Sequence, residues 1–324
     1  MRVLVTGGSG YVGSCAAKML LAAGHEILIY DNLSTGDRKL SAGFERVEGD
    51  ISDRDKLSHC LQRVDAVMHF AASAYVGESV LQPRKYFRNN VESALALMDA
   101  VLDSAVRIVV FSSSCAVYGV PLTLPITESS AKDPINPYGA TKLFFEQVLS
   151  AYGISHGLRS VALRYFNAAG AHPDGTIGEV HNPETHLIPL AIQAALGTAP
   201  ALTVFGTNLA TPDGTCVRDY IHVADLGEAH LKALEYLAAG GASEQINLGT
   251  GRGSSIREVL AMVEQVSGRK VPHQFAEARA GDPPILYAAA RKAKELLGWE
   301  ARYDLEQIVT SALRWEERKA EILK

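Results

Sequence analysis

The 324-residue sequence has little of several features that mark particular classes of protein. It has only four cysteines, at positions 15, 60, 115 and 216, and no CxxC pair. Neither a disulfide framework nor a cysteine zinc motif is therefore indicated, and we predict no metal site. Charge of one sign is not in excess, because 31 basic and 36 acidic residues give a net charge of -5. Nucleic acids and anionic membranes demand a basic surface, so we expect neither as a partner.

Long hydrophobic runs are also missing. The apolar run at the N-terminus is broken by Gly7, too early for a secretory signal, so we expect a cytoplasmic protein. The uncharged stretch 187–206 is interrupted by Pro189, Gly197 and Pro200 and predicts a buried helix, a turn and a strand, not a membrane span. What is present, 47% hydrophobic and 21% charged residues, is typical of a globular protein, and the length allows two domains.

Residues 1–166 alternate short β-branched runs with longer stretches that carry apolar residues every three or four positions. This alternation predicts βαβ units and an α/β fold with a doubly wound parallel sheet. The predicted strands are Arg2 to Thr6, Glu26 to Tyr30, Phe44 to Glu48, Ala66 to Phe70, Arg107 to Ser112 and Ser160 to Tyr165. The predicted helices are Tyr11 to Ala23, Asp53 to Leu61, Pro83 to Asp103, Tyr138 to Tyr152 and Leu305 to Leu323.

The pattern loosens after Asn167 into loops rich in proline, glycine and asparagine, and the later strands and helices are shorter. We therefore predict a first domain over residues 1–166. A smaller C-terminal α/β domain is predicted over residues 167–324, with some of its later segments returning to the first.

A glycine-rich loop carries the first chemical signal. Gly7, Gly10 and Gly13 follow the first predicted strand directly and open the first helix, which is the Rossmann-type arrangement for a pyrophosphate. Asp31 ends the second strand 18 residues after Gly13, where a carboxylate accepts hydrogen bonds from the adenosine ribose and repels a 2′-phosphate. The loop therefore predicts that residues 1–166 bind NAD rather than NADP, which leaves residues 167–324 mainly to the substrate.

A phenol and an ammonium lie four residues apart at Tyr138 and Lys142, on one face of a predicted helix. Ser114 closes a strand upstream, at the carboxyl edge where ligands bind in open α/β sheets. A hydroxyl there can relay a proton between a sugar oxygen and the phenol, while Lys142 lowers the phenol pKa and bonds the nicotinamide ribose. Taken singly, the same residues are equally consistent with a serine cap and a solvated Tyr and Lys.

Several motifs together resemble the extended branch of the short-chain dehydrogenase/reductase superfamily. They are Thr6-Gly-Gly-Ser-Gly-Tyr-Val-Gly13, Asp31-Asn-Leu33, Gly49-Asp-Ile51, His69-Phe-Ala-Ala72, Ser112-Ser-Ser114 and Asn136-Pro-Tyr-Gly-Ala-Thr-Lys142. Further motifs in both halves are similar to the UDP-glucose 4-epimerase family. They are Val76-Gly-Glu-Ser79, Leu163-Arg-Tyr-Phe-Asn167, Asp213-Gly-Thr-Cys-Val-Arg-Asp-Tyr-Ile-His-Val223 and Arg279-Ala-Gly-Asp282. The resemblance covers nearly the whole chain.

The resemblance implies a homodimeric isomerase that interconverts UDP-glucose and UDP-galactose through a transient 4-keto sugar, with NAD retained. It implies that Tyr138 is the base for the sugar 4-hydroxyl and that Ser114 is its hydrogen-bonded partner. The implied cofactor contacts are Tyr11, Val12, Asp31, Asn32, Asp50, Ile51, Phe70, Ala71, Ala72, Asn90, Lys142 and Phe166. The implied substrate contacts are Ser114, Asn167, His186, Phe205, Arg218, Tyr220, Arg279 and Asp282, with Leu286 as the gate of the sugar pocket.

Three departures from the family pattern leave open how tightly NAD is retained, because of Ala74, and which sugar is bound. Ala74 replaces a lysine that some members carry near the cofactor phosphates, and His186 replaces a frequent asparagine. Leu286 is intermediate between the bulky residue that goes with plain hexoses and the small one that admits acetamido sugars. UDP-N-acetylglucosamine therefore remains an alternative substrate. UDP-xylose/arabinose is another, because Ala74-Tyr-Val-Gly-Glu-Ser79 and Cys115-Ala116 also resemble UDP-xylose/arabinose epimerases.

The residues that follow Ser114 distinguish this chain from enzymes of the same fold with other activities. Dehydratases and decarboxylases of this fold place a carboxylate where this chain has Cys115-Ala116, so both are disfavoured. Cys115 has no evident histidine partner and is interpreted as a packed thiol. A dinucleotide-binding regulator without catalysis and a dehydrogenase that releases NADH are the remaining alternatives.

Overall fold

The computed structural model describes residues 1–278 and 283–324, and its centre is a parallel sheet of seven strands. The strands are β1 (Arg2–Thr6), β2 (Glu26–Asp31), β3 (Glu45–Glu48), β4 (Ala66–His69), β5 (Ile108–Ser114), β6 (Arg159–Tyr165) and, from the second half of the chain, β11 (Glu244–Leu248). Their order across the sheet is β11-β6-β5-β4-β1-β2-β3. The inner strands β1, β4 and β5 are almost wholly buried, which is why their sequences are continuous apolar or small-residue runs.

Helices cover both faces of this sheet. One face is packed by α1 (Tyr11–Ala22), α8 (Val223–Ala238) and α10 (Arg291–Leu297), which share a core with the strands around Val5, Ile29 and Leu226. The other is packed by α2 (Arg54–Leu61), α5 (Ser93–Leu102) and α6 (Pro137–His156), around Leu28, Leu97 and Phe145. This three-layer arrangement confirms the predicted Rossmann-type α/β fold.

Some predicted element boundaries are wrong. The sheet gains a seventh strand, β11, which pairs in parallel with β6 although 79 residues separate Tyr165 from Glu244. The helix predicted over Pro83 to Asp103 is divided into α4 (Pro83–Phe87), a π-helical turn (Arg88–Glu92) and α5. The wider turn brings Asn90 inward, where its side chain is 5% exposed and hydrogen-bonds the Ser73 backbone. Strand β5 extends to Ser114 and α6 to His156, beyond their predicted ends.

The remaining elements form a smaller lobe beside the carboxyl edge of the sheet. Its helices are α7 (Leu187–Leu196), α9 (Ile256–Ser267) and α11 (Leu305–Ile322), packed around Ile192, Val259 and Val309. Its short strands are β7 (Asn167–Ala169), β8 (Leu202–Phe205), β9 (Val217–Arg218), β10 (Tyr220–His222), β12 (Ser254–Ser255), β13 (His273–Ala276) and β14 (Ile285–Leu286). One further short helix, α3 (Val76–Leu81), follows β4 in the chain.

The uncharged stretch 187–206 contains helix α7, a turn and strand β8, as predicted. Among the described residues, no helix combines the length and the apolarity that crossing a membrane requires. The division into two domains at residue 166 stays a prediction.

Candidate functional site

The glycine loop lies between strand β1 and helix α1, where the backbone is packed too closely for side chains. Gly7 has φ of +75°, and a Cβ there would lie 2.5 Å from the Ala71 nitrogen. A Cβ on Gly13 would lie 2.3 Å from the Gly7 carbonyl oxygen. The close approach leaves the first N–H groups of α1, those of Tyr11 and Val12, at the open end of the helix. This cradle fits a pyrophosphate, because the groups aimed at it are backbone donors at a helix N-terminus.

The end of β2 carries the acidic residue expected to meet a ribose. The Asp31 carboxylate accepts hydrogen bonds from the Ser9 and Leu33 backbone nitrogens, each at 2.8 Å. Burial outweighs those bonds and raises the pKa of Asp31. Leu33 is held at φ of 58°, a left-handed conformation that the carboxylate bond helps to maintain. The carboxylate is thus fixed in place at the end of the strand.

Two neighbouring loops form the predicted adenine side. Asn32, after β2, donates a 2.8 Å hydrogen bond to the Asp50 carboxylate after β3, and Ile51 beside it is buried. Desolvation acts to raise the pKa of Asp50, but hydrogen bonds from Ser52 and Asn32 lower it overall. Asn32, Asp50 and Ile51, which we predicted to contact NAD, are therefore neighbours in the fold.

The loop that follows β4 is tied to the π-helical turn. The Asn90 amide accepts from the Ser73 nitrogen at 2.8 Å and donates to the Ser73 oxygen at 2.9 Å. It thereby fixes the segment of Phe70, Ala71 and Ala72 on the floor of the cradle. The Phe70 ring packs 4.6 Å from the ring of His230 on α8. In this structure Asn90 acts by holding that segment, and its amide is already engaged with backbone.

The predicted catalytic residues meet at the carboxyl edge, where β5 ends and α6 begins. Ser114 is the last residue of β5 and caps the following turn, accepting from the Ala116 nitrogen at 3.2 Å. Tyr138 and Lys142 lie one turn apart near the start of α6, and the Lys142 ammonium is 5.7 Å from the centre of the Tyr138 ring. The Lys142 ammonium also donates a 2.7 Å hydrogen bond to the Ser112 carbonyl.

The electrostatics of this trio differ from the prediction. Burial raises the pKa of the Tyr138 phenol above its ordinary value, and a hydrogen bond with Ser114 offsets only part of that rise. We expected Lys142 to lower the phenol pKa, but its own ammonium is 4% exposed and desolvation lowers its pKa to about 7. The cause is loss of water around the buried ammonium, and its hydrogen bond to the Ser112 carbonyl and its contact with the Phe111 ring, 4.9 Å from the ring centre, do not make up for that loss.

Sequence reasoning missed two residues that support the trio. The Tyr165 hydroxyl shares a 2.6 Å hydrogen bond with the Ser112 hydroxyl, and its phenol raises the pKa of Tyr138. Glu146, one turn beyond Lys142 on α6, accepts from Ser113 at 2.6 Å and pairs with the buried Arg164. Glu146 was detectable, because it continues the four-residue spacing of Tyr138 and Lys142.

On the substrate side, residues distant in sequence become neighbours through strand register. Tyr220 pairs with Asn167 where β10 meets β7, and Leu286 pairs with Arg218 where β14 meets β9. Arg218 also lies close enough to Cys115 to act on its pKa. Phe205 ends β8, and Phe166 is buried between Tyr165 and β7. Two predicted contacts, Arg279 and Asp282, lie outside the described residues.

Cys115 follows Ser114 but lacks the features of a nucleophile. Desolvation raises the pKa of its thiol to about 12, although Arg218 acts to lower it. A thiol with that pKa stays protonated at neutral pH, as expected for a packed cysteine.

His186, the predicted diphosphate contact, is the residue before α7 and faces two carboxylates. Its Nδ1 lies 2.6 Å from Glu179 Oε1 and 3.3 Å from Glu184 Oε1. Burial acts to lower the pKa of His186, but the two carboxylates outweigh it and raise the pKa to about 10. Residues 179–186 therefore form a charged cluster that sequence reasoning did not identify.

Comparison with known proteins agrees with this geometry. The model of the NAD dependent epimerase/dehydratase family matches residues 3–249. A UDP-glucose 4-epimerase of Azospirillum brasilense is 52% identical over 319 residues, which are 97% of this chain and 92% of the relative. The crystal structure of UDP-glucose 4-epimerase from Brucella ovis in complex with NAD is 52% identical, with a TM-score of 0.94 and coverage of 96% and 97% of the two chains.

A third comparison is structural. The UDP-glucose-4-epimerase from Stenotrophomonas maltophila, solved with bound NAD and formylated UDP-arabinopyranose, is 39% identical. Its TM-score is 0.96, and the match covers 99% of each chain.

The chain therefore belongs to the NAD dependent epimerase/dehydratase family. Within that family its relatives are UDP-glucose 4-epimerases, as the motifs predicted. The predictions of an NAD-dependent epimerase and of NAD as its cofactor are confirmed at this level. The glycine cradle and the fixed Asp31 carboxylate fit that cofactor.

Proposed function

We propose that this protein interconverts UDP-glucose and UDP-galactose by inverting the configuration at C4 of the hexose. The observation that carries the proposal is the meeting of Ser114, Tyr138 and Lys142 at the same sheet edge as the dinucleotide cradle. An acid–base phenol placed there reaches a sugar hydroxyl next to the nicotinamide end of NAD.

The chain supplies the proton chemistry of this reaction. When bound, NAD supplies a reversible hydride acceptor, so that the 4-hydroxyl is oxidised to a ketone and reduced again. Tyr138 takes the proton from O4, and Ser114 orients that hydroxyl by hydrogen bonding to it and to the phenol. Lys142, whose ammonium donates to the Ser112 carbonyl and lies 5.7 Å from the centre of the Tyr138 ring, holds the start of α6 against the end of β5. Burial, which raises the phenol pKa, makes the deprotonated form of Tyr138 a stronger base towards the O4 proton.

Binding must hold the two ends of the substrate differently. We assign the diphosphate to Arg218, whose planar guanidinium matches phosphate geometry, together with Arg279. Asn167, His186, Phe205, Tyr220 and Asp282 complete the proposed nucleotide contacts. The hexose needs looser packing, because its 4-keto form has to present both faces. To Leu286, the register neighbour of Arg218, we assign the role of limiting the size of the sugar.

A second candidate substrate is a UDP-pentose. It is supported by the Stenotrophomonas maltophila relative, which was solved with formylated UDP-arabinopyranose. A pentose lacks the C6 hydroxymethyl group, so the intermediate bulk of Leu286 does not exclude it.

We further propose that the protein is a homodimer joined through the faces of α4, α5 and α6. Phe87 and Phe144 lie on these helices and are 47% and 41% exposed, unusual for large aromatic side chains. Between them runs an apolar groove lined also by Val91 and Leu143. A second copy of the chain would cover this face. Light scattering of Phe144→Glu should report a monomer, whereas Leu122→Glu, at an exposed leucine elsewhere, should stay dimeric.

The four cysteines are free thiols, which suits the reducing cytoplasm where we place the protein.

Product analysis tests the proposed reaction. The purified protein is incubated with UDP-glucose without added NAD, the products are resolved by proton NMR, and the absorbance near 340 nm is recorded. UDP-galactose without NADH release supports the proposal. Steady NADH release would indicate a dehydrogenase, and no turnover of any UDP-sugar, with NAD supplied, would indicate a regulator.

A further inference from the structure

Four side chains between β7 and α7 converge on one point. They are Glu179, His181, Glu184 and His186, each of which offers one ligand atom, and all four atoms lie within 4.8 Å of one another. We call them the Glu179–His186 cluster. In the sequence they form two Glu-x-His pairs separated by two residues.

The ligand atoms of the cluster lie close enough together to surround a single ion, with every pair within 4.8 Å. The two histidine Nδ1 atoms lie 2.9 and 2.6 Å from Glu179 Oε1, and 3.7 and 3.3 Å from Glu184 Oε1. Four ligands at about 2.0–2.1 Å from a tetrahedral ion are separated by about 3.3 Å. The observed separations bracket that value.

Hydrogen bonding does not account for every atom in the cluster. Glu184 Oε2 is buried and has no hydrogen-bond partner, on a side chain that is 7% exposed. His181 Nδ1 is also buried, and it meets Glu179 Oε1 at 2.9 Å as an ion-pair contact outside hydrogen-bond alignment. Unpaired buried polar atoms are rare in native proteins, and they call for a ligand that satisfies them.

The surrounding structure holds the four side chains in place. Glu184 Oε1 accepts from the Thr185 and His186 nitrogens at 2.7 and 2.9 Å, which fixes the carboxylate. The Glu179 carbonyl accepts a 3.0 Å hydrogen bond from the Trp315 indole on α11. The His181 ring packs edge-on against Tyr75, at 5.5 Å. Such outer contacts are typical of metal sites, where they orient the ligands.

We propose that the Glu179–His186 cluster binds one divalent transition-metal ion, of which zinc fits best. Two imidazoles favour zinc over magnesium or calcium, which prefer sites made of oxygen alone. Two carboxylates supply the negative charge that such an ion neutralises. The four ligands complete a tetrahedral shell, so the ion has a structural role.

The position of the site gives the ion a specific task. His186 directly precedes α7, and a metal bond through Nδ1 leaves its Nε2 without a metal bond. The ion therefore fixes the segment 179–186 between Trp315 of α11 and Tyr75 near the cofactor loop. The metal site stands on its own geometry and does not depend on the proposed reaction.

Metal content tests the site directly. Untagged protein is dialysed against metal-free buffer, and its zinc is measured by plasma mass spectrometry. We expect about one zinc per chain. After chelation and loading with Co²⁺, we expect the strong visible absorption of a four-coordinate cobalt ion. Chelation alone should lower the Tm, because an ion that binds the folded chain stabilises it.

Substitutions locate the ion. His181→Asn and Glu184→Gln should each weaken zinc binding by more than the roughly 10- to 100-fold that loss of an outer contact costs. His172→Asn is the matched control, because that histidine lies in the same loop and faces the Asp174 carboxylate at 2.8 Å. It should keep the full zinc content and the cobalt spectrum.

Two results would overturn the proposal. The first is wild-type protein that carries no zinc and gives no cobalt spectrum, which would make the cluster a set of ion pairs. The second is zinc that persists in both cluster variants, which would place it elsewhere. The wild-type metal and cobalt measurements decide the question even where a variant fails to fold. Epimerase activity enters none of these readouts, so failure of the proposed reaction would be seen separately.

Discussion

The cofactor cradle and the proposed substrate side of this protein are built by different means. The cradle is made of backbone: glycines without room for a Cβ, the open end of α1 and a carboxylate held by two main-chain nitrogens. The substrate side is made of side chains on short strands, and register brings Arg218 to Leu286 and Asn167 to Tyr220. Backbone groups can bind the cofactor in the same way whichever substrate is used. Substitution of a single side chain, by contrast, can change which substrate binds.

The largest effect is expected where the two regions meet. Tyr138→Phe removes the hydroxyl that exchanges a proton with the sugar and should lower kcat by about 10²- to 10⁴-fold. The Kd for UDP, measured by calorimetry, should stay nearly unchanged, since its proposed contacts lie on the other lobe. Normal turnover in this variant would remove Tyr138 from the mechanism.

The next effect falls on the cradle alone. In Gly13→Ala the new methyl would lie 2.3 Å from the Gly7 oxygen, so the loop must shift away from the pyrophosphate. We expect a loss of about 1–3 kcal/mol in NAD binding, the range for overpacking, while UDP binding is kept. Gly77→Ala is the matched control, because a Cβ there meets nothing within 4 Å. An equal loss of UDP affinity would show that the two regions are not separate.

The converse substitution falls on the substrate side. Arg218→Ala removes a charged hydrogen-bonding partner of the diphosphate and should raise KM for UDP-glucose by roughly 10- to 100-fold. NAD affinity should not change. Steady-state kinetics and NAD titration together check both halves of this expectation, and a parallel loss of NAD affinity would contradict it.

The last effect is on stability, not on activity or binding, and concerns the framework of the proposed substrate side. Asp219 is fully buried and accepts hydrogen bonds from Thr250 and Ala288, and burial raises its pKa to about 6. A raised pKa in the folded state means that its stabilising contribution is present below the unfolded value near 3.8 and is lost as pH rises through about 6.

Asp219→Asn removes that titration. We compare the free energies of unfolding of the wild type and of this variant. The wild-type value minus the variant value should fall by about 1–3 kcal/mol as the pH rises from 4 to 7. Urea denaturation at several pH values measures it. A difference that does not vary with pH would show that Asp219 is not perturbed in this way.

The sequence predicts the cradle better than the substrate side for a physical reason. Gly7, Gly13 and Asp31 belong to one βαβ unit, and Tyr138 and Lys142 to one helix, so local periodicity places them. The register that joins Leu286 to Arg218 spans much of the chain and leaves no local pattern.

Two further features could not be predicted from local sequence patterns. The π-helical turn at Asn90 depends on a partner, Ser73, in another loop, and helical periodicity alone cannot show it. The lowered pKa of Lys142 follows from burial, which sequence spacing does not reveal. The Glu179–His186 cluster does have a local signal, its two Glu-x-His pairs. The prediction of no metal site considered only the spacing of the cysteines.

The central claim, inversion at C4 by removal and return of the same hydrogen, is tested most directly with UDP-glucose deuterated at C4. The labelled substrate is incubated with the protein in ordinary water, and UDP-galactose is examined by NMR and mass spectrometry. The account predicts that the product keeps its deuterium at C4, because the hydrogen never exchanges with solvent. UDP-galactose that carries protium at C4 would contradict it.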